Sequence, residues 1–247
     1  YDSARHASKY AVNVSEVSFD LPKIIARKQK VVRKLVLGVK GKLTNNVTIV
    51  NGEASIVDKN HVLCGDETYE CDNLLLCTGS ETFIPPIPGI DTVPYWTHRD
   101  ALDNKELPKS LVVIGGGVIG MEFASFFNSL GVEVTVIEML DEILGGMDKE
   151  LSAMLRAEYA KRGIKFMLNT KVVSLDGSTG ENGETQVRVN YGNAEGTGFS
   201  VAEKLLMSVG RRPVTKGFGL ENLNPEKTER GNIRVNYGNA EGTGFSV

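Results

Sequence analysis

The stretch from Leu111 to Glu138 constrains the fold of this chain more than any other. It opens on the apolar run Leu111-Val112-Val113-Ile114 and turns through Gly115-Gly116-Gly117-Val118-Ile119-Gly120. An apolar segment then runs to Leu130 and Gly131, and Glu133-Val134-Thr135-Val136-Ile137-Glu138 closes the unit. A short run rich in β-branched residues suits a parallel strand buried on both faces. Glycine at 115 permits a tight strand-to-helix turn, glycine at 117 lets a pyrophosphate approach the backbone, and glycine at 120 lets the helix lie close on the sheet. Gly116, Val118 and Ile119 complete the turn, where free N–H groups and the positive end of the helix dipole favour phosphate.

Glu138 stands eighteen residues past Gly120, at the end of the second strand. A carboxylate there accepts hydrogen bonds from ribose hydroxyls. Met139-Leu140-Asp141 follow without an Arg or Lys to hold a 2′-phosphate, so the pattern favours NAD over NADP. A glycine-rich turn alone is weak evidence. Here a strand, a helix and an acid flank it in the required order, and the fold expected is a Rossmann-like α/β unit. The competing reading is a unit of the same fold without a ligand, which leaves the glycines to packing alone.

Composition bounds the rest. A chain of 247 residues with 41% hydrophobic residues suits one or two globular domains, and a net charge of −3 argues against a nucleic-acid partner. No apolar run is long enough to span a bilayer, and Tyr1-Asp2-Ser3 does not begin a signal peptide, so a cytoplasmic or organelle-matrix location is expected. Cys64, Cys71 and Cys77 match neither a CxxC redox pair nor a zinc site and are expected to be small buried residues.

Asp20 is placed to cap a helix from about Leu21, with Pro22 in its first turn. Ile24, Ile25, Val31, Val32, Leu35, Val36, Val39 and Leu43 recur there at helical spacing, with Lys and Arg between them. That basic face reads as solvated, with docking to a nucleic acid or an acidic partner as the alternative. Strands are expected at 47–50, 54–57, 61–64 and 73–77, the last of them buried, and the prolines from Pro85 to Pro88 mark a crossing that lasts to about Asp100. Further on, a helix is expected from Asp148 to Arg162, with Leu151, Met154, Leu155 and Tyr159 on one face and Gly163 as its stop. Strands follow at 165–168, 171–175, 186–189 and 204–209.

Several of these segments together resemble the FAD-dependent pyridine nucleotide-disulfide oxidoreductases: Cys77-Thr78-Gly79-Ser80 before the proline-rich crossing, Gly115 to Glu122, Glu138, Asn169-Thr170-Lys171-Val172 and Gly210-Arg211-Arg212-Pro213. The resemblance runs from Tyr1 to about Asn236. It implies a Rossmann-like FAD/NAD(P)-binding fold with a partial FAD-binding domain (1–98), an NAD-binding domain (99–217) and a return segment toward the FAD domain (218–236). Residue by residue it implies Glu122 near the nicotinamide, Glu138 on the adenosine ribose, Val172 on the adenine side and Gly210 closing on NAD. Thr78, Gly79 and Ser80 would lie beside FAD, and the Gly52-Glu53-Ala54 turn would approach its adenine end.

Overall similarity and the NAD-type Glu138 point within the family to the branch that, as the resemblance implies, passes electrons from dihydrolipoamide through a disulfide and FAD to NAD. Its partners are the lipoyl domains of a 2-oxo acid dehydrogenase complex, and its members form homodimers. Another NAD(P)-dependent disulfide reductase and a non-catalytic nucleotide-binding module stay open as alternatives. The family also carries a first FAD glycine motif, a CxxxxC disulfide, a GD motif and a His-Glu pair, none of which these residues supply; the chain as it stands is therefore expected to bind NAD without turning over. Finally, the 14 residues Arg188 to Val201 recur unchanged as Arg234 to Val247. Solenoid repeats diverge and recur more than twice, so the tail 237–247 is read as an addition foreign to the natural chain.

Overall fold

The computed structural model describes residues 1–43, 46–180, 183–235 and 245–246. In chain order, helices α1 (Asp2–Arg5) and α2 (Leu21–Lys42) precede strands β1 (Ala54–Ile56), β2 (His61–Cys64), β3 (Glu67–Glu70) and β4 (Ser80–Thr82). Helix α3 (His98–Asp103) leads into β5 (Ser110–Ile114), α4 (Val118–Ser129), β6 (Glu133–Ile137), α5 (Lys149–Lys161) and β7 (Lys165–Met167). Then come β8 (Lys171–Thr179), β9 (Thr185–Asn193), β10 (Gly196–Ala202), β11 (Lys204–Met207), β12 (Arg211–Pro213), β13 (Arg234–Val235) and β14 (Phe245–Ser246). The chain divides into two compact units, one of residues 1–35 and 82–210, the other of residues 36–81 and 211–247.

The first unit is built on a four-stranded parallel sheet in the order β11-β5-β6-β7. Because side chains alternate along a strand, β5 serves two cores at once. Leu111 and Val113, with Val134, Val136 and Leu206, face Met121, Ala124 and Phe127 of α4. Val112 and Ile114, with Ile137, Leu205 and Met207, face Leu175, Val187, Val189 and Ala202 of the antiparallel sheet β10-β9-β8. Burial on both faces explains why the β5 sequence is uniformly apolar. Each fully buried aliphatic side chain here contributes about 1.5–3 kcal/mol.

The expected βαβ unit is present, as is α5, whose N-cap Asp148 accepts hydrogen bonds from Glu150 N and Leu151 N at 2.9 and 3.2 Å. The apolar face of α5 differs from the expected one. Leu155 and Tyr159 pack on the core, whereas Leu151 and Met154 are exposed and Ser152 is buried. The proline-rich crossing is also more than a linker: Ile90 and Val93 are buried in the first unit, and Trp96 bridges to Leu206 as an added parallel partner of β11.

In the second unit β1-β2-β3 form an antiparallel meander, with β2 and β3 joined through Gly65-Asp66. Strand β3 has no counterpart in the sequence reading, because Glu67-Thr68-Tyr69-Glu70 carries little apolar signal. Ile56 is anchored by Phe218, whose carbonyl accepts its N–H at 2.8 Å, and by Asn222, which donates to its carbonyl at 2.7 Å.

Residues 47–50 and 73–77 are not strands, and Leu75 is 85% exposed. β-propensity is realised only against a neighbouring strand, and among the described residues neither segment has one. The cysteines likewise depart from expectation: Cys64 and Cys71 are half-buried, Cys77 is exposed, and all three are free. The meander is thin, and a small apolar residue on it finds only partial cover. Helix α2 begins as expected, with Lys23 N donating to Asp20 at 2.9 Å, but only its Leu21 and Ile25 are buried.

The first copy of the repeated segment forms the β9–β10 hairpin with Arg188 opposite Val201. Most of the second copy, and with it the reading of the 237–247 tail, lies outside the described residues. Its described ends pair Arg234 with Ser246, a register one residue different. No helix among the described residues is long and apolar enough to cross a membrane.

Candidate dinucleotide site

Strand β5 ends at Ile114, and the chain turns at Gly115 with φ +102°, a conformation that side chains rarely adopt. Space forbids a side chain there as well, since a Cβ on Gly115 would lie 2.5 Å from the carbonyl oxygen of Ser208. Gly120 is excluded from the other side: its Cβ would meet Gly115 O at 2.2 Å and Ser208 Oγ at 2.7 Å. These two glycines are what allow α4 to start against the ends of β5 and β11.

Gly117 is different. Its φ of −71° suits any residue, and a Cβ there would meet nothing within 4 Å. Chain packing therefore does not call for a glycine at this position. It is the N-cap of α4, yet it supplies no side-chain cap, and the first turn carries no acid. The N-terminus of a twelve-residue helix thus opens onto free space with its backbone donors uncapped by a side chain. A phosphate group fits that cradle.

Glu138 follows the last residue of β6 and is buried. Its Oε2 accepts the N–H of Gly116 at 2.6 Å and its Oε1 accepts that of Leu140 at 2.8 Å. Each oxygen keeps a further lone pair, so the carboxylate can bind ribose hydroxyls while it fixes the glycine turn. The sequence reading assigned Glu138 to the ribose alone; its hold on Gly116 is additional.

Ser208, just past β11, escaped the sequence reading altogether. Its hydroxyl lies 3.1 Å from Ile114 O and 3.0 Å from Gly115 O, and its N–H donates to Ile114 O at 2.9 Å. The only sequence signal was its position two residues before Gly210.

The loop after β6 is tied down in the same way. Leu144 N donates to Gly116 O at 2.8 Å, and the buried Ile143 packs over Gly116. Arg156 of α5 grips Glu142 through Nε and Nη2 at 2.8–3.1 Å. That hydrogen-bonded guanidinium holds the Glu142 carboxyl below its ordinary value of 4.5. Since the folded value is the lower one, the stability this contributes is complete above pH 4.5 and disappears as pH falls through the lowered value. Arg156→Met is expected to cost about 1 kcal/mol at pH 7. The gap between variant and parent should close in acid-titrated denaturation curves; a constant gap would count against the pair.

The remaining candidates fall in five places. Glu122 is exposed in the second turn of α4, one residue beyond the first turn, and Val118 and Ile119 are exposed and half-buried in that first turn. Val172 is half-buried on β8 against the core, and Gly210 lies at φ +121° with its carbonyl accepting Phe83 N at 3.0 Å. In the second unit Thr78 donates to Val214 O at 2.7 Å, Gly79 O accepts Val214 N at 3.0 Å, and Ser80 Oγ accepts Arg211 Nε at 2.8 Å. Ala54 opens β1 of the meander and Gly52 lies just before it, where a Cβ would meet Cys64 Sγ at 2.7 Å. The five FAD candidates thus fall in two stretches of the second unit, Thr78 to Ser80 leading into β4 and Gly52 to Ala54 leading into β1. No three metal-ligating side chains gather among the described residues.

Comparison with known proteins agrees with this geometry. Residues 3–240 match the family described as pyridine nucleotide-disulphide oxidoreductase. The dihydrolipoyl dehydrogenase of Acholeplasma laidlawii is 36% identical over 240 residues, covering 94% of this chain and 68% of that protein. The mitochondrial dihydrolipoyl dehydrogenase 1 of Arabidopsis thaliana is 35% identical, with 94% of this chain and 47% of that protein covered. Among solved structures, the HOCl-induced flavoprotein disulfide reductase RclA of Escherichia coli superimposes with a TM-score of 0.76 at 28% identity, over 95% of this chain and 51% of that one. The chain thus spans about half the length of most of the relatives it matches.

Proposed function

Because the chain belongs to the pyridine nucleotide-disulphide oxidoreductase family, we propose that it is the NAD-binding part of a dihydrolipoyl dehydrogenase, with residues 99–217 as the NAD-binding domain and 1–98 as part of an FAD-binding domain. The observation that carries this reading is the uncapped N-terminus of α4 at Gly117, beside a buried Glu138 already oriented by Gly116. The N–H groups of Gly117, Val118 and Ile119 would hold the pyrophosphate, and the Glu138 carboxylate would accept from the ribose hydroxyls. Glu122 and Gly210 are assigned to the nicotinamide end and Val172 to the adenine end. When bound, the dinucleotide supplies hydride-transfer chemistry. The residues of this chain hold and orient it.

The whole enzyme would oxidise dihydrolipoamide carried on lipoyl domains, and FAD would supply the electron transfer between disulfide and NAD. Thr78, Gly79, Ser80, Gly52 and Ala54 are assigned to that flavin on family grounds.

Calorimetric titration tests the assignment. NADH is expected to bind more tightly than NADPH, and Glu138→Ala is expected to weaken NADH at least tenfold, since hydrogen bonds to a charged group contribute about 1.5–3 kcal/mol. Equal binding of NADH and NADPH would overturn the NAD assignment, and binding of neither would overturn the nucleotide reading.

A further inference from the structure

The first unit encloses a cleft of about 510 Å³ where the C-terminal ends of α4 and α5 meet the segment from Arg5 to Lys9. Its lining is strongly cationic: Arg5 and Lys9 come from that segment, Lys161 from the last turn of α5 and Arg162 from its C-cap. All four are exposed, so a ligand can reach them. Among the described lining residues Glu158 is the one carboxylate, and it accepts from Lys161 Nζ at 2.5 Å. Two of the guanidinium groups lie over rings, Arg5 over Tyr1 at 5.5 Å and Arg162 over Tyr159 at 5.8 Å, which orients them without neutralising them. Helix C-termini attract cations, so the helices themselves are the first explanation to weigh. Backbone donors already close both ends, with Gly131 N on Asn128 O and Gly163 N on Ala160 O, each at 2.9 Å. The two dipoles leave about half a negative charge apiece, which together with Glu158 offsets about two of the four cations. An excess of about two positive charges is left in the cleft.

We infer that this cleft is a second anion site, which takes a small molecule bearing a dianionic phosphate group. The excess charge matches a dianion. A guanidinium fork pairs with two phosphate oxygens at once, and Arg5 and Arg162 bring two such forks from separate elements, with Lys9 as a point charge beside them. Lys161 stays with Glu158. The volume lies in the range of small-molecule pockets, ~300–1,000 Å³, and leaves room for the carbon body of a phosphate ester. Helix α4 is twelve residues long, which puts this end of it about 18 Å from Gly117. The cleft is therefore separate from the pyrophosphate cradle, and both can be filled at once.

The test is calorimetric titration of the full chain with ribose 5-phosphate, inorganic phosphate and unphosphorylated ribose, in a buffer without other polyvalent anions. Both phosphates should bind and ribose should not. Tighter binding of ribose 5-phosphate assigns the cleft to phosphate esters, and equal binding assigns it to free phosphate. In the double variant Arg5→Met, Arg162→Met the affinity should fall at least tenfold, because two charge-assisted contacts are lost. Glu158→Gln removes the opposing charge and should raise the affinity about threefold at low salt, a gain that shrinks at about 0.5 M salt. Gly117→Asp, which closes the other end of α4, should leave phosphate binding as it is in the parent. Fluorescence of Trp96, the one tryptophan, confirms that each variant is folded. Binding of neither phosphate by the parent, or equal binding of ribose, would overturn the proposal. So would affinity that survives the loss of both arginines, or that disappears in Gly117→Asp, since the phosphate would then sit at the dinucleotide cradle.

Discussion

Gly117→Asp is expected to abolish pyridine-nucleotide binding, lowering affinity at least a hundredfold, while leaving the chain as stable as the parent or slightly more so. The backbone at 117 is already extended, with φ −71° and ψ 178°, and the space beside it is open. Aspartate is among the best N-cap residues, and capping a helix that lacks a side-chain cap contributes about 0.5–2 kcal/mol. The same carboxylate, however, takes the N–H groups that a phosphate needs and puts a negative charge where the pyrophosphate would sit. Stability and binding should therefore move in opposite directions. Thermal unfolding and NADH titration on one preparation check this. A variant that binds NADH normally would show that the opening at Gly117 is not the phosphate site, and a strongly destabilised variant would show that the space is not open.

That separation between a glycine kept for a ligand and glycines kept for packing marks the limit of what the sequence disclosed. The βαβ unit was legible because its signals are local: an apolar run, a glycine spacing, a second run and an acid all lie within Leu111 to Glu138. The roles of its glycines were legible as a set but not one by one. Gly115 and Gly120 are excluded from bearing side chains by Ser208, which reaches them from 93 and 88 residues further along the chain. No local pattern announces that approach.

Where the reading failed, the reason is again non-local. Val47 to Val50 and Asn73 to Cys77 have the residues of strands, but a strand exists only against a partner, and the described residues offer these segments none. On α5, Leu151 and Leu155 are equally apolar, and only the direction from which the sheet approaches decides that Leu155 and Tyr159 are covered while Leu151 is not. The candidate nucleotide site was thus largely readable, since it is carried by one contiguous unit. The residues that hold it in shape, Ser208, Ile143 and the Glu142–Arg156 pair, were not.

Gly115→Ala should be the most destabilising single-atom-group addition in this site, at about 3 kcal/mol or more. Two independent penalties meet there. A non-glycine residue at φ +102° carries roughly 1–3 kcal/mol of backbone strain, and overpacking of the new Cβ against Ser208 O adds about 1–3 kcal/mol. The neighbour is backbone of the strand end, so it cannot rotate away as a side chain would. Gly116→Ala makes a useful contrast, because its new Cβ would meet only the side chains of Ile143 and Glu138 at 3.1–3.3 Å and should cost far less. Denaturant unfolding followed by Trp96, which packs on Phe127 in the same core, reads both. Since the Cβ atoms of Gly115→Ala and Gly120→Ala press on the same junction of Ser208 with the turn, the double variant should be less destabilised than the sum of the singles. Strict additivity would mean that the two glycines answer separate constraints, and a loss below about 1 kcal/mol in Gly115→Ala would mean that the end of β11 can yield where the geometry says it is fixed.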